Sequence, residues 1–362
     1  MAIAYILEQQ ATVSVEGERL LVKKDSTVLH TLHLFKLDQL VLFGNVLLTP
    51  AAIRVLLHHG IDTVFMSHQG RYRGRLQPPY SKNITLRGEQ FRRLSDPQFA
   101  LQTAQALVTG KISNLRTVLL RLNRSRAGLG LEDQILGLKQ LADKAAAAPD
   151  LDGLRGFEGR SAVLYFQGFA KGLRAEGIEF SKRARRPPPD PVNALLSLGY
   201  TMLFHNMLAA VSLVGFDPYL GCLHAMEYGR PSLALDLMEE WRPVIVDTLV
   251  LSVFNLKTLG RDDFVVGDTA PEDLDAAAPA VDDPIAADSE SPAAAKVRLP
   301  VRLTDAGFRK FITQFERKMQ QKIKYHLSNQ QLSHRDGLRE QVRHFARYVR
   351  GEQDYYRPWP LR

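Results

Sequence analysis

The chain has few of the features that mark secreted or membrane-inserted proteins. Its 362 residues include a single cysteine, Cys222, which excludes an intrachain disulfide and fits a reducing cytosol. The N-terminus lacks a positively charged region before its apolar residues, so no signal peptide is expected. The run from Leu195 to Phe216 is apolar enough for a membrane span, but His205 and Asn206 at its centre favour a buried core helix. We therefore expect a cytoplasmic protein with no membrane segment.

Basic residues are absent from one strongly acidic segment. Residues 262–295 contain ten Asp or Glu and no Lys or Arg. The whole chain has a formal net charge of +8, and without this segment 47 basic residues face 29 acidic ones, a net charge of +18. A body this basic favours a polyanionic partner, DNA above all, with RNA or acidic lipid as alternatives. The segment itself is predicted to be a disordered insertion, with a DNA mimic as the alternative.

The apolar pattern divides the chain into a strand-rich beginning and a helical remainder. Short alternating runs separated by Gly, Asp or polar turns predict strands over the first eighty residues, with a helix from Thr49 to Gly60. We predict an α+β, two-domain protein, in which a small N-terminal β-sheet domain precedes a larger all-α catalytic domain. The predicted parts are a β-rich domain at 1–77, a linker at 78–89, an α-helical catalytic domain at 90–261, the acidic disordered insertion at 262–295 and C-terminal helices at 296–362.

The most informative segment runs from Leu223 to Pro243 and mixes carboxylates, arginines and a histidine with apolar residues. Ser232 is the predicted N-cap of its helix. Three carboxylates come after it at helical spacing and would share one face: Asp236, Glu239 and Glu240. His224 precedes the helix and can fold back over that face. An imidazole with carboxylates suits Mg²⁺ or Mn²⁺, whereas the alternative is an amphipathic helix with a solvated acidic face and an unrelated histidine.

Two further segments place polar residues in apolar helices. Glu158 precedes Tyr165 by seven residues, so the two share a helix face, and Asn193 opens a long apolar helix after a proline-rich turn. Tyr165 is interpreted as a core or DNA-contacting aromatic residue rather than as a recombinase nucleophile. Cys222, beside His224, is a candidate nucleophile, but a small buried apolar residue is the favoured interpretation.

Together these segments resemble the Cas-one family, the CRISPR-associated endonuclease/integrase of spacer acquisition. The resemblance rests on Glu158-Gly-Arg-Ser-Ala, on Pro-Val-Asn193-Ala-Leu-Leu, and on the run from His224 through Gly-Arg-Pro-Ser-Leu-Ala-Leu-Asp236-Leu-Met-Glu239. Three N-terminal segments are also similar to that family: Tyr5 to Gln9, Asp38 to Val46 and Arg71 to Leu76. The resemblance covers the chain except for residues 262–295.

The resemblance implies a metal-dependent DNA endonuclease and integrase of antiviral defence. Such an enzyme inserts short foreign DNA fragments into a CRISPR array by transesterification. The resemblance further implies that Glu158, His224 and Glu239 are catalytic ligands of Mg²⁺ or Mn²⁺, although many members have aspartate at the position of Glu239. Asp236 would contact a ligand without touching the metal or be an alternative ligand, and Asn193 would orient a phosphate or a ligand.

The family's partners are the basis for the expected assembly. The resemblance implies a homodimer formed through the β domain, with two homodimers bridged by a dimer of a small companion protein, Cas-two, on double-stranded DNA. Arginines are expected to contact the DNA backbone rather than to read bases: Arg183, Arg185, Arg186, Arg230 and Arg242, of which the last two alternatively pair with the carboxylates. Two other interpretations are a non-catalytic DNA-binding scaffold of the acquisition complex and a metal-dependent ribonuclease.

Overall fold

A computed structural model describes residues 2–76, 83–126, 128–184, 188–224, 227–267 and 299–361. The chain divides at residue 80 into two compact units. The first unit is rich in strands and the second is mostly helical, which confirms the predicted α+β class. Most of the acidic segment, from residue 268 onward, lies outside the described residues. Its beginning is not disordered, because residues 262 and 263 belong to a 3₁₀ turn and a short strand comes directly after them.

Eight strands and one helix form the N-terminal unit. They are β1 (Ala2–Ile6), β2 (Thr12–Glu16), β3 (Arg19–Lys24), β4 (Thr27–His33), β5 (Leu37–Phe43), β6 (Leu47–Leu48), α1 (Pro50–His58), β7 (Asp62–Met66) and β8 (Tyr72–Leu76). One sheet has the order β1-β5-β7-β8 and the other the order β4-β3-β2-β6. The hairpin between β2 and β3 turns at Gly17, whose φ of +55° favours glycine. The helix predicted from Thr49 to Gly60 is α1, and the Thr49 side chain caps it by accepting a hydrogen bond from the Ala52 amide.

Nine α-helices dominate the described part of the second unit. They are α2 (Ile84–Leu94), α3 (Pro97–Ser125), α4 (Glu132–Ala146), α5 (Leu151–Gly172), α6 (Pro191–Val214), α7 (Ser232–Met238), α8 (Thr248–Asn255), α9 (Asp305–Gln320) and α10 (His334–Val349). Helix α2 begins inside the segment 78–89 that was predicted to be a linker. The unit also contains two strand pairs, β9 (Phe264–Val266) with β10 (Val301–Leu303) and β11 (Lys322–Lys324) with β12 (Gln331–Ser333), so the domain is not purely helical.

Helix α6 is the apolar run whose interpretation lay between a membrane span and a core helix. Within the described part of the chain it is the only helix that is long and apolar enough to cross a membrane, and 78% of its most apolar window is buried. It begins where the Asp190 side chain accepts a hydrogen bond from the Asn193 amide, and it ends at Gly215, whose φ is +106°. The structure therefore uses α6 as a core helix of this unit.

Candidate metal-binding active site

Glu158, His224 and Glu239 lie at one buried place in the helical unit. Glu158 is on α5 and is 2% exposed, whereas Glu239 is the residue directly after α7 and is fully buried. His224 lies in the loop before α7, and its Nε2 is 3.9 Å from Oε1 of Glu239. One ion at about 2.1 Å from each atom spans such a distance. The structure therefore brings together the three residues that the sequence motifs suggested as ligands.

Lys111 connects the two glutamates. Its Nζ lies 2.7 Å from Oε1 of Glu158 and 2.6 Å from Oε2 of Glu239, and the residue is 4% exposed. This lysine was not predicted as a site residue, because a single lysine in a long helix matches no motif. The signal that could have found it was its place on α3, one turn from Leu107 and Leu115, inside the buried stripe.

Asp236 holds the loop that carries His224. Its Oδ2 accepts hydrogen bonds from the amides of Cys222 (2.6 Å) and Leu223 (3.0 Å), and its Oδ1 accepts one from the His224 amide (3.0 Å). The same Oδ1 lies 2.6 Å from Nδ1 of His224. Burial opposes ionisation, but His224 and the amides outweigh it, so the pKa of Asp236 lies below its ordinary value. A carboxylate behind a histidine is the arrangement that orients metal-binding imidazoles.

Arg242 compensates the charge of Glu239 on the side away from Lys111. One guanidinium nitrogen is 3.0 Å from Oε1 of Glu239, and the guanidinium also lies 5.1 Å from the centre of the Tyr200 ring. Arg242 is 3% exposed, so the structure supports its pairing with a carboxylate rather than an open contact with DNA. Each carboxylate oxygen of Glu239 therefore faces a cation, Oε2 the Lys111 ammonium at 2.6 Å and Oε1 the Arg242 guanidinium at 3.0 Å. A buried carboxylate needs such compensation, because burying an unpaired charge is costly.

The donor set suits a divalent ion, although the side chains are not arranged around a single ion position in the described residues. Among the described residues, no group of three His, Cys, Asp or Glu side chains is arranged to hold a metal ion. The Lys111 ammonium lies between Glu158 and Glu239, at 2.7 and 2.6 Å from their oxygens. Two carboxylates and an imidazole whose Nδ1 is already paired are nevertheless ligands that Mg²⁺ and Mn²⁺ accept. The three residues are therefore chemically suitable ligands, but the Lys111 ammonium occupies the space between two of them.

The predicted acidic face is buried, and it does not include Glu240. All seven residues of α7 are buried, so the helix has no solvated face, and Ser232 is its first residue rather than its N-cap. Glu240 points to the C-terminal segment, where its oxygens accept hydrogen bonds from the Tyr356 hydroxyl and the Trp359 amide, each at 2.8 Å. Burial raises the pKa of Glu240 to about 8. Asp236 and Glu239 thus both lie beside His224, whereas Glu240 has separate surroundings, because α7 ends at Met238 and tertiary packing orients the two glutamates after it.

Asn193 and Arg183 belong to a neighbouring buried cluster. The Asn193 side chain accepts hydrogen bonds from Arg183 (2.9 Å) and the Ala184 amide (2.8 Å), and it donates to Asp190 (2.6 Å). Arg183 is 5% exposed and stacks over Tyr200 at 5.5 Å. Both residues thus fix the chain before α6, and the burial of Arg183 corrects the expectation that it contacts the DNA backbone. Arg183 packs against the same ring as Arg242, and this shared ring connects the cluster with the site.

The remaining predicted contacts have mixed outcomes. Arg185 and Arg186 lie outside the described residues. Arg230 pairs with Glu227 at 3.2 Å, and its side chain is 13% exposed.

Burial raises the pKa of the Cys222 thiol well above its ordinary value, and nearby Asp236 adds to this rise, which does not suit a nucleophile. Tyr165 is fully buried in the core.

Fold and site together define a two-unit α+β protein whose helical unit contains a buried centre of carboxylates and histidine. The chain belongs to the family described as CRISPR associated protein Cas1, whose model matches residues 4–272. The CRISPR-associated endonuclease Cas1 3 of Thermus thermophilus is 34% identical, and the match covers 100% of this chain and 98% of the relative. As a member of this family, the protein is a CRISPR-associated endonuclease. Membership of this nuclease family implies dependence on a divalent metal ion.

Solved structures show the same fold. A casposase bound to integration product matches with a TM-score of 0.80 at 22% identity, over 99% of this chain and 93% of that chain. A Cas6-RT-Cas1–Cas2 complex matches with a TM-score of 0.79 at 26% identity, over 100% of this chain and 36% of that chain. The fold of this chain is therefore similar to that of these two structures over almost its whole length.

Proposed function

We propose that the protein joins short DNA fragments to a CRISPR array by transesterification at phosphodiester bonds. Glu158, His224 and Glu239 would hold the divalent ion, Mg²⁺ or Mn²⁺, that this chemistry needs. The observation that carries the proposal is the burial of these three side chains at one place, with Nε2 of His224 3.9 Å from Oε1 of Glu239. The casposase of the same fold, which is bound to integration product, supports the same class of reaction.

The ion, when bound, would polarise a phosphate oxygen and favour ionisation of the attacking oxygen. The chain's own residues supply the orientation. Asp236 fixes the His224 ring by its contact with Nδ1 and directs Nε2 toward Glu239. Arg242 neutralises part of the charge on Glu239 without covering both of its oxygens. Attack by a DNA 3′-hydroxyl breaks one phosphodiester bond while forming another, and attack by water cleaves the strand.

The proposed partners are supported by charge and by the assemblies of related structures. A net charge of +18 outside residues 262–295 suits double-stranded DNA, which supplies a regular array of phosphates. The related Cas1–Cas2 complex supports a small Cas2 companion, and we propose that its dimer bridges two homodimers of this chain. A DNA-processing role and the single cysteine fit action in the cytoplasm.

A strand-transfer assay tests this function. Purified protein, with and without the companion, is mixed with a short DNA duplex, a supercoiled plasmid bearing the repeat, and Mg²⁺ or Mn²⁺. We expect joining by the parent and a loss of at least about 100-fold in Glu158→Ala, His224→Ala and Glu239→Ala, with DNA affinity nearly unchanged because basic residues supply most of it. Glu176→Ala, which removes an exposed carboxylate after α5, is the matched control.

The outcomes separate the proposed enzyme from a scaffold. Joining by the parent and by the control alone supports the assignment of all three ligands. Joining at the parent rate by any of the three variants removes that residue from the active site. Tight DNA binding without joining by any protein, under every metal condition, would favour a non-catalytic scaffold of the acquisition complex.

A further inference from the structure

Lys111 contacts both proposed carboxylate ligands. Its ammonium is 2.7 Å from Glu158 and 2.6 Å from Glu239, and all three side chains are at most 5% exposed. Burying two carboxylates side by side is costly unless a cation lies between them. Lys111 supplies that cation from α3. It thus stabilises the ligand pair by the same interaction that a metal ion would make.

The geometry opposes simultaneous binding of both cations at the same place. A metal ion that bridges Glu158 and Glu239 would bind one oxygen of each at about 2.1 Å. It would therefore occupy the space between the carboxylates, where the ammonium now lies. Two positive centres this close also repel each other strongly in a buried site, where water screens charge poorly. Arg242, 3.0 Å from Glu239, already adds one positive charge on the far side. A divalent ion would therefore add to a site whose carboxylates are already neutralised.

We propose that Lys111 is an internal competitor of the metal ion, and that its ammonium must leave Glu158 and Glu239 before the ion can bridge them. This inference rests on the proposed function only in its choice of ligands. The lysine holds the two glutamates ready and keeps them neutralised until an ion binds, and in doing so it lowers the affinity for that ion. Lys111 is a positioning residue in this scheme, since it acts through the two ligands.

Metal affinity, rather than activity, is the readout that distinguishes this role from a structural one. Titration calorimetry with Mn²⁺ alone compares the parent with Lys111→Met, which keeps the length of the side chain but removes its charge. We expect Lys111→Met to bind Mn²⁺ at least about tenfold more tightly, equivalent to about 1.4 kcal/mol. Lys171→Met, an exposed lysine on α5 that donates to the Gly130 carbonyl, is the matched control and should bind like the parent. Equal or weaker binding by Lys111→Met overturns the proposal.

A second measurement covers the case in which Lys111→Met fails to fold. The parent, labelled with ¹³C at the lysine ε-carbons, is titrated with Mg²⁺, and the Lys111 signal is assigned by its absence from Lys111→Arg. We expect this signal to shift and to saturate together with binding, because the ammonium loses both carboxylate partners. An unmoved Lys111 signal in a protein that binds Mg²⁺ overturns the proposal.

Failure of this inference and failure of the proposed function give different results. A parent that binds Mn²⁺ in a manner abolished by Glu239→Gln, while Lys111→Met binds no better, keeps the metal site and rejects the role of Lys111. A parent whose Mn²⁺ binding survives both Glu158→Gln and Glu239→Gln rejects the proposed ligands themselves, and the competition with them.

Discussion

Oδ1 of Asp236 lies 2.6 Å from Nδ1 of His224 and 3.0 Å from the backbone amide of the same residue. A single carboxylate oxygen thus contacts both the ring and the main chain of the histidine. This double contact fixes where His224 is and which ring nitrogen faces Glu239. The position of a proposed metal ligand is therefore set by a residue that need not touch the metal.

Asp236→Asn tests this control of the histidine. The amide would present a donor where Asp236 now accepts from backbone amides, so the loop from Cys222 to His224 should lose part of its support. We expect strand transfer to fall roughly 10- to 100-fold, together with metal affinity, while DNA affinity stays near that of the parent. Asp143→Asn, on the exposed side of α4, is the control. Parent-like metal affinity in Asp236→Asn would contradict this role.

Arg155 provides a second support for the same loop. Its guanidinium donates two hydrogen bonds, of 3.0 and 2.7 Å, to the carbonyl oxygen of Leu223, and it lies one turn before Glu158 on α5. We expect Arg155→Met to reduce strand transfer by about tenfold, because removing charge-assisted hydrogen bonds loosens the loop. Arg160→Met, an exposed arginine of the same helix, should have no such effect. Equal DNA affinity in both variants is needed, since a loss of backbone contacts would also slow joining.

The C-terminal segment stabilises the residues just after α7. Trp359 is 5% exposed and stacks on Trp241 with ring centres 4.9 Å apart, while its amide donates to Glu240. We expect Trp359→Ala to lower the free energy of unfolding by roughly 3–5 kcal/mol, as measured by urea denaturation, because it leaves a cavity beside a buried carboxyl group. Tyr355→Ala, at a position 58% exposed, should change it by less than about 1 kcal/mol. Similar losses in both variants would show that the stacking is unimportant.

His344 makes the stability of the helical unit dependent on pH. Its Nε2 accepts a hydrogen bond from the Arg357 amide, and burial, with the nearby charges of Arg347, His326 and Arg357, lowers the pKa of His344 to about 4. The unfolded chain binds this proton near the ordinary pKa of 6.5, so the contribution of His344 is present above that pH and is lost as the pH falls toward 4.

Urea denaturation of His344→Gln measures this contribution. Glutamine stays neutral at every pH and can still accept a hydrogen bond, so the variant should lose less stability on acidification than the parent does. We expect the difference between the two to be about 1–2 kcal/mol over pH 7 to 5. Parallel pH profiles of parent and variant would show that His344 titrates equally in the folded and unfolded states.

Much of the architecture was predictable because it depends on local signals. Alternating apolar residues with polar turns between them marked the first strands, and the helix predicted from Thr49 to Gly60 corresponds to α1. The motifs around Glu158 and His224 were also recognisable, since their spacing and residue types are unusual for an ordinary core helix. Such signals depend only on neighbours in the chain, so they remain visible without any tertiary structure.

The sequence alone thus determined the fold class, the family and the candidate ligands. Tertiary structure decided the partners of those ligands: Lys111 is 47 residues from Glu158 in sequence, and Glu240 meets Trp359 across 119 residues. It also decided that Arg183 and Arg242 are buried, whereas the composition had counted them with the basic surface. The physical reason is that burial and charge pairing depend on which helices pack together, and no local pattern records which distant side chain lies opposite a carboxylate.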